Sequence, residues 1–197
     1  MYDATAVTGP GGKIYAIGGD AGGSSGGEGE ITLTSVEAYS PTKNSWQEIA
    51  PLSVERAFAA AAVGSNGLIY VFGGCNAVQG CSNSDTAEVL NPSNVANTWS
   101  LLPLMPAEYP SCGWSCGPPG GTTGGAGVTN GLIYLNGVGA YNPSTGAWAP
   151  FATSPANPLL VAPGGNKCGY LYGLGFDSNL SSTLEMDRAA TRPGKGC

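Results

Sequence analysis

Three glutamates, Glu37, Glu88 and Glu185, occupy comparable places in successive apolar stretches. Two such carboxylates side by side would suit acid–base or nucleophilic work on a glycosidic bond. Residues at equivalent places of repeated units are held apart, however, so each glutamate is expected to be a structural acceptor for neighbouring backbone N–H groups or for a donor of the Arg56 kind. The chain has no histidine, which excludes Ser/His/Asp and Cys/His nucleophile systems and histidine-ligated metals. Gly22-Gly23-Ser24-Ser25-Gly26 fits G-x-S-x-G but lies in a polar glycine-rich loop rather than at a strand-to-helix elbow, so no nucleophile is expected there. Asp20, Glu28 and Glu30 offer oxygen ligands of the kind calcium takes, at a spacing that fits no EF-hand. No catalytic residue, metal or cofactor is therefore expected.

Six cysteines admit 15 pairings. Cys75 with Cys81 and Cys112 with Cys116 are close enough in sequence to form local bridges, and a Cys168–Cys197 bridge would tether the tail to its own unit. Zinc knuckles would need histidine or paired CxxC motifs, which are missing. Three disulfides imply an oxidising compartment, hence a secreted, extracellular protein. Met1-Tyr2-Asp3 does not begin a leader peptide, and the expectation is a leader already removed, a mature form or a fragment. No apolar run approaches the roughly 18 residues of a membrane span, so no membrane insertion is expected. Asn179-Leu180-Ser181 is a glycosylation sequon.

The elements that would position these residues repeat. Asn66-Gly67-Leu68-Ile69-Tyr70-Val71-Phe72-Gly73-Gly74 is a turn, an apolar strand and a glycine pair. It recurs as Gly12 to Gly19, as Asn130 to Gly137 and, worn, as Cys168 to Gly175. Tyr39, Leu90 and Tyr141 are each 51 positions apart, followed by Trp46, Trp99 and Trp148 after seven, nine and seven. An apolar strand, a glycine pair, then an aromatic and a tryptophan, at a period near 50, resembles the kelch repeat. The resemblance implies an all-β, kelch-like β-propeller of about four four-stranded blades. The units fall at about 1–53, 54–107, 122–154 and 157–197, with 108–121 a loop insertion; of a closed four-bladed ring, an open array completed by other chains and a fragment of a larger propeller, four blades closing within one chain are favoured. The second strands read as runs covered on both faces, the alanine- and glycine-rich first strands suit a crowded axis, and the three repeat tryptophans are expected to fill the space between blades. The glycine pairs, with no helix or Lys-Ser/Thr following, are expected to be positive-φ turns rather than phosphate loops.

The long connections, Gly18 to Glu30, Cys75 to Asp85 and Tyr109 to Gly121, are expected on one face, the short turns on the other. Insertions gathered on one side of a rigid scaffold suit a binding surface. Its candidate residues are Tyr109, Trp114, Asp20, Glu28 and Glu30. Trp114 lies outside the repeat and with Tyr109 suits stacking on a sugar, anchoring a protein, or packing over its own loop. A net charge of −6 with seven Lys and Arg offers no footprint for nucleic acid. Charged residues make up 10% of the chain, against roughly a quarter in ordinary domains, and so oppose association weakly. Other protein chains, above all copies of itself, are the expected partners of a non-enzymatic structural or scaffold module. A carbohydrate-binding module, or the propeller part of a larger carbohydrate-active enzyme, is the alternative. The radical-copper oxidases with kelch-like propellers need histidine for copper, and the Asp-box of sialidase propellers is missing.

Overall fold

A computed structural model describes residues 3–21, 31–76, 84–94, 98–106, 126–135 and 138–149 in full, and the backbone of 82–83, 159–160, 170–175 and 185–190. The first sheet runs β1 (Thr5–Thr8), β2 (Ile14–Ile17), β3 (Val36–Ser40), β4 (Ser45–Ile49). The second runs β5 (Ala60–Val63), β6 (Ile69–Phe72), β9 (Ala87–Leu90), β10 (Trp99–Leu101), and a two-stranded ribbon, β7 (Cys75–Asn76) with β8 (Ser82–Asn83), interrupts it. β11 (Ala126–Thr129), β12 (Leu132–Leu135), β13 (Gly139–Asn142) and β14 (Ala147–Ala149) form the third, and β15 (Leu159–Leu160), β16 (Tyr170–Gly175) and β17 (Glu185–Ala190) a fourth of three strands. Every pairing is antiparallel between sequence neighbours, the ribbon aside. The short turns that sequence reading placed between first and second strands are present, one of them a 3-10 turn at Pro10–Gly12.

The first three sheets stack face to face, and strand alternation decides what each side chain meets. In the second sheet Ala59, Ala61, Ile69, Val71, Leu90 and Trp99 pack on Tyr15, Ile17, Val36 and Ala38 of the first. The alternate residues Ala60, Ala62, Tyr70, Phe72 and Ala87 pack on Ala126, Ile133, Leu135 and Tyr141 of the third. All four residues of β6 are buried, as a strand covered on both faces must be. Each fully buried Val, Ile or Leu here contributes on the order of 1.5–3 kcal/mol. The alanines of β5 leave room for the innermost strands β1, β5 and β11 to approach one another. This is the stacking of kelch-like propeller blades.

One cross-strand row repeats in three sheets. It is Ile69, Leu90 and Trp99 in the second, Ile133, Tyr141 and Trp148 in the third, and Ile14, Tyr39 and Trp46 in the first. Trp99 and Trp148 reach back to the preceding sheet. Trp99 Nε1 donates to Ala50 O at 2.9 Å, and Trp148 meets Phe72 edge-on, with ring centroids 5.8 Å apart. Trp46 does not behave this way. It is 54% exposed and touches Tyr39 of its own sheet, 5.1 Å between centroids. The periodicity places Trp46 at the same register position as the other two, but among the described residues no sheet stands against that face. For the same reason Ile14 breaks the run expected for β2 and is 37% exposed.

Candidate interaction face

The glycine pairs end β2 and β6, and both glycines of each have positive φ: 64° and 98° at Gly18 and Gly19, 59° and 90° at Gly73 and Gly74. Glycine is needed at both ends for a second reason. A β-carbon on Gly18 would collide with the Arg56 carbonyl, and one on Gly74 would lie 2.6 Å from Ala57 O. The chain that has just left one sheet passes over these glycines on its way to the next. Gly19 N–H donates to Arg56 O and Leu33 N–H to Gly19 O, at 2.8 Å each. Arg56 N–H donates to Leu33 O at 3.2 Å, and Ala57 and Cys75 exchange both backbone bonds. At this junction the loops after β2 and β6 and the linker after β4 therefore share one face; the segment from Tyr109 to Gly121 lies outside the described residues.

Arg56 and Glu88 hold this junction from inside. Both side chains are wholly buried and meet at 2.9 Å. Arg56 Nη1 also donates to Gly73 O and Thr86 O, and Nη2 to Thr86 Oγ1. Glu88 accepts the N–H groups of Ser53 and Val54 at 2.8 and 3.2 Å. Burial pushes the guanidinium pKa down and the Glu88 carboxylate opposes that shift; an arginine so paired stays charged. Glu88 is thus a backbone and arginine acceptor, as its repeated position suggested, and its lone pairs are occupied by structural donors. The second linker repeats part of the clamp. Leu52 N–H donates to Thr34 O and Met105 N–H to Asp85 O, both at 2.8 Å, and both side chains are buried.

Of the five binding-face candidates, the described residues contain Asp20 alone, which bridges to Thr32 across the base of the first long loop. Tyr109, Trp114, Glu28 and Glu30 lie outside the described residues, as do Cys81, Cys112, Cys116, Cys168, Cys197 and Asn179. Cys75 is in a disulfide. Among the described residues no three His, Cys, Asp or Glu gather as a metal would require, and no helix is long and apolar enough to cross a membrane.

Two residues that sequence reading missed stand near Asp20. The Phe58 N–H donates to Asp3 O at 3.0 Å, and both residues have positive φ, 56° and 52°, a strained conformation for a bulky side chain. Phe58 is 38% exposed. Partial burial, and then the charge of Asp20, push the Asp3 carboxyl above the usual carboxylate range. A lone phenylalanine in the alanine run from Ala57 to Ala62 was the available sign of an outward-facing position.

The Kelch motif matches residues 3–53 and 56–106, two consecutive repeats that together make up more than half of the chain. No curated protein sequence matches it. Among solved structures, that of YjhT superposes with a TM-score of 0.59 at 18% identity, over 95% of this chain and 66% of that one. The chain thus spans slightly under two thirds of YjhT, and the likeness is one of fold. With glycine pairs ending β2 and β6, Ile and Trp recurring at the two ends of one cross-strand row and the motif matched over more than half of its length, the chain belongs to the kelch-repeat family of β-propellers.

Proposed function

We propose that this protein is a non-enzymatic module that works by contact with other protein chains, as a self-assembling structural unit. Kelch repeats build protein-interaction modules, and the carrying observation is Arg56–Glu88. The one ion pair buried among the described residues has its hydrogen-bonding capacity spent on joining two sheets, so it has none to offer a substrate. Exposed Trp46, Ile14, Phe58, Leu101 and Leu104 leave apolar surface for partners, with few charges to oppose association. The disulfide at Cys75 supports an extracellular setting. Sedimentation velocity of the intact chain at micromolar concentration tests the reading. Concentration-dependent association is expected, and a species that stays monomeric at every concentration overturns it. The carbohydrate reading rests on Tyr109 and Trp114, and a glycan-binding screen with Trp114→Ala decides it.

A further inference from the structure

We infer that Asn130, in the turn between β11 and β12, is a site of spontaneous deamidation, and that the same Asn-Gly pair one unit earlier, at Asn66, is closed to that reaction by the fold.

The reaction needs neither enzyme nor cofactor. The backbone nitrogen of the residue after an asparagine gives up its proton and attacks the side-chain Cγ. A bond forms between that nitrogen and Cγ, the bond from Cγ to the amide nitrogen breaks, and ammonia departs from a succinimide ring. Water then opens the ring at either carbonyl, giving aspartate or isoaspartate. Glycine in second place admits the close approach, because it has no β-carbon to obstruct it. Asn66-Gly67-Leu68-Ile69-Tyr70 and Asn130-Gly131-Leu132-Ile133-Tyr134 are the same five residues, preceded by the hydroxyl residues Ser65 and Thr129. Local sequence therefore gives both sites the same reactivity, and a difference in the folded chain comes from the turns that hold them.

The two turns are built differently. Val63 pairs with Ile69 across the second sheet, and the longer loop between them is closed by Gly64 N–H on Leu68 O and Gly67 N–H on Gly64 O, both at 2.9 Å. The nitrogen that would attack is thus tied to a carbonyl. The target amide is tied at both ends: Asn66 Oδ1 accepts Leu68 N–H at 3.2 Å, and Nδ2 donates to the Tyr70 hydroxyl at 2.8 Å. In the third sheet Thr129 pairs with Leu132, so the loop is Asn130-Gly131 alone, with φ of 51° and 77°, the two left-handed residues of a type I′ hairpin. Such a turn closes through the residues that flank the pair, and no described residue accepts the Gly131 N–H. Asn130 is exposed. Its side chain is engaged as well; the attacking nitrogen is what sets the two sites apart.

The test follows both asparagines in the intact chain by peptide mapping over time at mildly alkaline pH, once folded and once unfolded in guanidinium chloride with reductant. Fragment-ion sequencing separates Asn130 from Asn136. Unfolded, the two are expected to convert at similar rates. Folded, Asn130 is expected to convert at least about fivefold faster than Asn66, the factor that one ordinary hydrogen bond supplies. Tyr70→Phe keeps the ring and removes the hold on Asn66 Nδ2. With circular dichroism confirming that this variant is folded, it is expected to speed Asn66 about fivefold and to leave Asn130 unchanged. Equal rates in the folded chain, or an Asn130 that converts only when unfolded, overturn the inference. An Asn66 rate unmoved by Tyr70→Phe overturns its protection by these bonds.

Discussion

Arg56 Nη2 and Glu88 Oε1 meet at 2.9 Å with both side chains wholly out of water, and they join the linker of one sheet to a strand of the next. Removing one partner strands a buried charge, which costs roughly 3–5 kcal/mol. Glu88→Ala is expected to lose about that much in urea denaturation. The double variant R56M/E88L, which leaves no charge behind, is expected to recover much of the loss, short of the linker bonds to Ser53 and Val54. Equal losses in the single and double variants would contradict this account.

Glycine substitutions separate conformational strain from collision. Gly11 has φ of 72° and nothing near its absent β-carbon, whereas Gly74 has φ of 90° and Ala57 O within 2.6 Å of that position. Gly11→Ala is expected to cost about 1–2 kcal/mol, the left-handed penalty alone. Gly74→Ala and Gly18→Ala are expected to cost clearly more, because the obstacle is backbone. Thermal unfolding of the three variants checks the order.

The tryptophans should rank by their neighbours rather than by their shared register. Trp99→Ala is expected to cost about 3–5 kcal/mol, and Trp46→Ala under about 1 kcal/mol, since Trp46 is half exposed. Phenylalanine at 99 leaves Ala50 O without its donor, at about 1–3 kcal/mol. Trp148 Nε1 is buried without a partner, so Trp148→Phe should be milder than Trp99→Phe. Chemical denaturation of the four variants reads the ranking.

Asp3 gives a pH dependence of definite sign. Its folded pKa is raised, so the folded chain keeps that proton to a higher pH than the unfolded chain does. Its contribution to stability therefore falls as pH rises from the ordinary carboxylate pKa through the raised value. Asp3→Asn is expected to match wild type at low pH and to be the more stable protein near neutrality. Melting temperatures of the two across that range decide it, and a gap that widens towards acid would refute it.

The fold was legible because the sequence repeats what glycine and aromatic residues alone can do. Gly18-Gly19 and Gly73-Gly74 marked the strand ends, and Glu88 was recognised as an acceptor from its recurrence. Periodicity could not separate Trp46 from Trp99 and Trp148, because register fixes where a side chain points and not whether anything stands there. The positive φ of Phe58 and the ribbon at Cys75 escaped for a related reason. Both depend on how adjacent units meet, which no single repeat contains.

The grip of the first linker by the second sheet, through Ser53, Val54 and Arg56 on Glu88, has a kinetic consequence. Opening the first sheet withdraws Leu52 and the Glu88 donors from the second, so neighbouring units share part of their unfolding cost in the manner of a one-dimensional array. Amide exchange should then be graded along the chain, fastest in β4, whose outward side is bare, and slowest in β6, which loses protection only when the units on both flanks have come apart.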